Sequence, residues 1–169
     1  MKTRLHPAIE ARTKCRAQAL PIPFYRFSIM HASPRHVFVY GTLLVPKIWT
    51  AVTGAPDLIE KPATLSGHRI ARVRGGDFPV ITQVADETST VKGAIRFDVP
   101  PDALRRLDKY EDGFYLRETI SAKCEGEAIA ADVYRVSASN VTDLFSDDHW
   151  TLEWFEKNAL DRYWNRHFG

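Results

Sequence analysis

Cysteine is scarce in this sequence, with only Cys15 and Cys124 among 169 residues. A single pair cannot build the dense disulfide framework that holds small secreted domains together. Long apolar runs are missing as well, because nothing approaches the roughly 18 consecutive apolar residues that a membrane-spanning helix needs. These absences exclude a disulfide-rich scaffold. They predict a cytoplasmic protein whose cysteines are ordinary thiols and which has no membrane partner.

An excess of positive charge is also missing from most of the chain. The formal net charge is +2, but residues 1–29 hold six basic and one acidic side chains, whereas residues 30–169 hold 17 basic and 20 acidic ones. A nucleic-acid-binding protein concentrates Lys and Arg on its folded surface. The mildly acidic balance of the larger part therefore predicts no nucleic-acid partner.

Residues 1–30 show no stable periodicity and include the broken stretch Pro21-Ile22-Pro23. We predict a disordered N-terminal extension over 1–34, with a targeting segment or a true start at Met30 as alternatives. Residues 35–169 are predicted to form one domain, because the chain is too short for two domains of ordinary size.

The rest of the sequence consists of short β-branched and aromatic runs separated by helical stretches. Short apolar runs predict strands, and glycine or proline between them predicts turns. We predict strands at 37–40, 64–73, 79–84, 91–99, 115–125 and 127–136, and helices at 43–52, 100–111 and 148–168. Strands outnumber helices, so the predicted fold class is α+β, with a small curled mixed β-sheet or barrel flanked by helices.

The tetrapeptide Tyr40-Gly41-Thr42-Leu43 stands where the first predicted strand gives way to a helix. Such a corner exposes backbone N–H groups, and Gly41 lets a ligand approach without meeting a Cβ atom. The positive end of the following helix favours a carboxylate or a developing oxyanion. A plain strand-ending turn has the same local pattern, and local physics alone favours that interpretation.

Glu111 closes the second predicted helix on the same face as Leu104 and Leu107. At 100° per residue these three side chains point in one direction, toward the interior. A carboxylate buried there at a helix C terminus is expected to have a raised pKa, which suits a general base near neutral pH. A structural ion pair, for instance with Arg117 or Arg72, is an equally weighted alternative.

Residue types that bind metals or anions are present without a binding pattern. Five histidines show no metal-ligand spacing: His31, His36, His68, His149 and His167. We therefore predict no metal site. Three arginines alternate along one predicted strand face: Arg69, Arg72 and Arg74. A solvated face is the favoured interpretation, with recognition of an anionic substrate as the alternative.

Several of these segments occur in a characteristic order. They are Tyr40-Gly41-Thr42-Leu43, Phe78-Pro79-Val80, Val91-Lys92-Gly93 and Leu107-Asp108-Lys109-Tyr110-Glu111, followed by Tyr115 and Arg117. This ordered set, over about residues 37–136, resembles the γ-glutamylcyclotransferase-like family, which includes AIG2-like proteins and γ-glutamylamine cyclotransferases. The Trp-rich C-terminal helix is most similar to the AIG2-like branch. One departure is Asp112, which stands between Glu111 and Gly113 where the family often has Glu-Gly, and which is expected to reshape that turn.

The resemblance implies a small barrel flanked by helices and an enzyme that releases 5-oxoproline from a small γ-glutamyl substrate. It implies that Glu111 is the catalytic general acid/base, and that a further set of residues binds substrate: Tyr40, Gly41, Thr42, Leu43 and Tyr115. It implies neither a metal nor an organic cofactor. Two alternatives remain open: a non-catalytic small-molecule binding module, and an amide hydrolase or transferase that uses the same carboxylate. The leaving amine and the oligomeric state are not specified.

Overall fold

The computed structural model describes residues 35–111, 113–136, 145–146 and 149–169. Predictions about residues 1–34 and Asp112 lie outside the described residues. The described ranges contain seven strands: β1 Arg35–Val39, β2 Glu60–Ser66, β3 His68–Arg72, β4 Pro79–Gln83, β5 Thr90–Val99, β6 Leu116–Cys124 and β7 Glu127–Arg135. They also contain four α-helices: α1 Pro46–Thr53, α2 Pro101–Glu111, α3 Leu152–Asn158 and α4 Leu160–His167. Among these helices, none has both the length and the apolar character needed to cross a membrane.

Five of the strands close into a barrel in the order β1-β5-β2-β6-β7. A parallel contact at Val37 and Asp132 joins β7 back to β1, and the other neighbouring pairs are antiparallel. The two remaining strands, β3 and β4, form a separate antiparallel pair. The predicted α+β class, with a small mixed barrel flanked by helices, is confirmed.

The second half of β1, residues 37–39, is apolar because both of its faces are buried. Successive side chains of a strand point to opposite faces. Phe38 and Tyr40 therefore join the core inside the barrel, and Val37 and Val39 pack in a second core that includes residues of all four helices. β1 therefore lies between the barrel core and the helices. The chain leaves the strand at Tyr40, at the boundary between these two parts.

Two predicted elements are each divided in the structure. The strand predicted at 64–73 breaks at Gly67, whose φ of 67° turns the chain from β2 into β3. The helix predicted at 148–168 begins later, at Leu152, because the Thr151 hydroxyl accepts the Trp154 N–H and caps it. It is then interrupted at Ala159, whose backbone leaves the helical region between α3 and α4.

Candidate active site

A cavity of about 200 Å³ opens where the end of β1 meets α2, β4 and α4. Its wall is mostly apolar and aromatic, and it includes every residue that the sequence analysis assigned to the site. The lining residues are Phe38, Val39, Tyr40, Gly41, Thr42, Leu43, Phe78, Pro79, Tyr110, Glu111, Phe114, Tyr115, Tyr134, Tyr163 and His167. The three arginines of β3 and the turn after it do not line this cavity: Arg69, Arg72 and Arg74.

The corner after β1, formed by residues 40–43, is a tight turn. Thr42–Leu44 form a single 3-10 turn, with α1 starting at Pro46. Among the described residues, no acceptor takes the backbone N–H groups of Gly41, Thr42 and Leu43. A Cβ atom at Gly41 would lie 2.7 Å from Pro79 Cγ, so glycine is required for packing against β4 as well as for access. The corner can therefore offer N–H groups to an anion in the cavity.

Glu111 lies at the end of α2, beyond the buried Leu104 and Leu107. Burial in this apolar wall removes water from the carboxyl and raises the pKa of Glu111 to about 8. The alternative ion pair with Arg117 is not formed, because Arg117 pairs with Asp108 and Asp132 instead. Among the described residues, Glu111 has no cationic partner. Its carboxyl is thus able to exchange a proton near neutral pH.

Five of the six tyrosines in the sequence line the cavity. Three of them donate their hydroxyl protons to fixed acceptors: Tyr40 to the Tyr134 carbonyl at 2.7 Å, Tyr115 to the Pro79 carbonyl at 2.8 Å, and Tyr134 to Asp108 Oδ1 at 2.7 Å. Burial raises the pKa of each phenol, so all three remain neutral. These bonds hold the aromatic wall rigid around Glu111.

The last two tyrosines bond to each other across the cavity wall. The hydroxyls of Tyr110, on α2, and Tyr163, on α4, form a short hydrogen bond. The ring of His167 packs on that of Tyr163 with centroids 4.3 Å apart. His167 lies at the rim and is mostly exposed; the partial loss of water around its ring and the charge of Arg166 lower its pKa.

The sequence analysis missed nine of the fifteen residues of this wall. Phe78, Pro79 and Tyr110 lie in segments that carried the family resemblance, so a signal for them was present. Tyr134 and Tyr163 gave no local signal, because only the closed barrel and the docked C-terminal helix bring them to the cavity. Within the described ranges, no three His, Cys, Asp or Glu side chains are grouped closely enough to hold a metal ion.

Comparison with known proteins gives consistent results. A family model described as γ-glutamyl cyclotransferase, AIG2-like, matches residues 37–152. AIG2-like protein C of Arabidopsis thaliana is 29% identical over 129 residues, which are 74% of this chain and 72% of that protein. A solution structure of an Arabidopsis thaliana protein has a TM-score of 0.58 at 25% identity, covering 78% of this chain and 87% of its own. A solved γ-glutamyl cyclotransferase shares the fold, with a TM-score of 0.52 at 17% identity over 61% of this chain and 66% of its own.

Proposed function

The chain belongs to the γ-glutamyl cyclotransferase, AIG2-like family, and on this premise we propose that it releases 5-oxoproline from a γ-glutamyl amine or peptide. One observation carries the proposal: the Glu111 carboxyl, whose pKa burial raises to about 8, lines the same cavity as the corner after β1, where three N–H groups have no acceptor among the described residues. A proton acceptor and anion donors in one cavity are what this reaction requires.

The substrate carries its own nucleophile, because the α-amine of a γ-glutamyl group can reach the γ-carbonyl and close a five-membered ring. Holding the folded conformer in the aromatic cavity supplies much of the rate acceleration through proximity. Glu111 takes a proton from the α-ammonium, and the freed amine attacks the carbonyl carbon. The amide bond to the leaving amine then breaks as the ring carbonyl re-forms.

Two negative groups of the reacting substrate need donors. These are the α-carboxylate and the oxyanion of the tetrahedral intermediate. Within the part of the chain that the structure describes, no Lys or Arg lines the cavity. The N–H groups of Gly41, Thr42 and Leu43 are the backbone donors closest in kind to an oxyanion hole, and a hydrogen bond beside an apolar wall is stronger than one in bulk solvent.

The proposal is tested with a panel of γ-glutamyl amines, γ-glutamyl dipeptides and glutathione, with 5-oxoproline as the product measured. We expect turnover of at least one member. Saturable binding of a glutamyl ligand with no turnover of any member would support the binding module instead. Release of free glutamate in place of the cyclic product would support the amide hydrolase.

The pKa of Glu111 also predicts a pH profile. Because the carboxylate form is needed to accept the ammonium proton, kcat/KM should rise about tenfold per pH unit up to about pH 8. Above that value it should level off and then fall as the substrate amine loses its own proton. Initial rates between pH 5.5 and 10, with the substrate amine titrated separately, measure this. A plateau that already begins near pH 5 would contradict the raised pKa.

A further inference from the structure

Asp132 is a buried carboxylate on the outer face of the barrel. It lies on β7 beside Val133, whose side chain points to the opposite face, into the barrel core. The Asp132 side chain is 3% exposed. Its Oδ1 accepts from Arg35 Nη2 at 2.5 Å and from the Thr119 hydroxyl at 2.8 Å, and its Oδ2 accepts from Arg117 Nη1 at 3.0 Å. A buried carboxylate needs such donors to remain charged, so these residues form an ionic cluster.

Arg117 extends this cluster from the barrel to α2. Its Nε lies 2.9 Å from Asp108 Oδ1, while its Nη1 donates to Asp132. One planar guanidinium thus lies between a carboxylate of the helix and a carboxylate of the barrel. The charged side chains that these ion pairs join are two arginines and two aspartates, so the cluster is electrically balanced: Arg35, Arg117, Asp108 and Asp132.

The helix end of the cluster lies beside Glu111. Asp108 precedes Glu111 by three residues in the last turn of α2, and side chains with this spacing are neighbours on a helix surface. The same Asp108 Oδ1 accepts the hydroxyl proton of Tyr134, a residue of the cavity wall, at 2.7 Å. Asp108 therefore joins the turn that carries Glu111 to the barrel at the cavity.

The earlier turns of α2 are held by contacts outside the cluster. Leu104 and Leu107 are buried in the core that also includes residues of α1. Arg106 Nη1 donates to the Thr53 carbonyl, at the end of α1, at 2.8 Å. These contacts fix the helix on α1, whereas Asp108 fixes its last turn on the barrel.

We propose that Arg117 is a positioning residue for the Glu111 carboxyl, an inference that rests on the cyclotransferase function proposed above. Without the guanidinium, Asp108 and Asp132 would face each other as like charges, and their repulsion would move the last turn of α2 away from β7. Glu111 would move with that turn, while the corner after β1 belongs to the barrel side and would stay. Arg117 acts through the geometry of Glu111, since it does not itself line the cavity.

Two successive substitutions test this role, the first removing the cation and the second the repulsion. In Arg117→Met we expect kcat to fall at least about 30-fold, as for a reacting group displaced by about 1 Å, with KM changed less than about threefold. Adding Asp108→Asn should restore kcat to within about fivefold of the unaltered protein. The neutral amide no longer repels Asp132, and its oxygen still accepts the Tyr134 proton.

Two further variants separate positioning from general stability. Arg117→Lys keeps a cation between the two aspartates and should retain kcat within about fivefold. Arg135→Met is the matched control, because Arg135 lies on the same β6–β7 hairpin and pairs within it, with Glu118, at 2.6 Å. We expect this control to keep kcat within about twofold. A residue that only stabilises the fold would not be rescued by a second substitution, because independent losses of stability add.

An unchanged kcat in Arg117→Met, or equal losses in Arg117→Met and the double variant, would overturn the inference and leave the proposed function standing. Failure of the unaltered protein to form 5-oxoproline from any member of the panel would instead overturn the proposed function. Amide hydrogen exchange tests the position of the turn without turnover. Exchange at residues 109–111 should be at least about tenfold faster in Arg117→Met, with α1 unchanged, and should slow again in the double variant. Unchanged exchange at 109–111 would contradict the inference.

Discussion

Glu111→Gln should lower 5-oxoproline release at least about 1,000-fold, because the amide keeps the shape of the side chain but cannot accept the ammonium proton. The loss should appear in kcat more than in KM, since the aromatic wall and the donors after β1 that bind the substrate are unchanged. Single-turnover assays on the best substrate of the panel measure it. Residual activity within tenfold of the unaltered protein would remove Glu111 from the catalytic role.

The same variant should change stability in a pH-dependent way. The pKa of Glu111 is raised from 4.5 to about 8 in the fold, so the native state binds more protons than the unfolded chain between those values. Stability contributed by this group therefore falls as pH rises through that window. Glu111→Gln should show no difference at pH 4 and should be more stable than the unaltered protein by up to about 4 kcal/mol at pH 9.

Urea unfolding at the two pH values measures this difference, and Glu118→Gln is the matched control. Glu118 lies on β6, away from the cavity, and pairs with Arg135 at 2.6 Å. Its replacement should change stability by about 1 kcal/mol or less and leave activity within about twofold, as expected for a half-exposed pair. Equal pH profiles for Glu111→Gln and the unaltered protein would show that the carboxyl of Glu111 is solvated.

Local patterns were sufficient to predict the elements that support the site. The apolar run at 37–40 identified β1, and the helical spacing of Leu104, Leu107 and Glu111 predicted that the carboxyl would face the interior. Gly126, with a φ of 91°, marked the β6–β7 hairpin correctly. In each case the signal and the structure it specifies lie within a few residues of each other.

Features that depend on distant contacts could not be predicted in this way. Tyr134 reaches the cavity because β7 closes the barrel against β1, nearly 100 positions earlier in the chain. Tyr163 reaches it because the helical segment breaks at Ala159 and turns α4 toward α2, and nothing in the local sequence marks alanine as a break. The periodicity of an aromatic helix face specifies burial but not the neighbour against which it is buried.

Gly93→Ala should be the most damaging single change in the barrel. Gly93 lies in β5, where an added Cβ atom would overlap the carbonyl oxygen of Val39 and lie 2.8 Å from Phe38 Cζ. The overlap is with backbone, which cannot rotate away, so β1 must shift. We expect a loss of at least about 3 kcal/mol in the free energy of unfolding.

Gly67→Ala separates this steric effect from the intrinsic cost of replacing glycine. Gly67 has a φ of 67° but open space around its Cα, so alanine there should cost only about 1 kcal/mol of backbone strain. Gly93→Ala should also lower activity per folded molecule, because β1 leads directly into Tyr40 and the corner that carries the N–H donors. Urea unfolding with activity measured on the folded fraction tests both effects. Equal destabilisation by the two substitutions would show that β1 can move away from β5 at little cost. In that case the close approach of the two strands at Gly93 would not determine where the corner lies relative to Glu111.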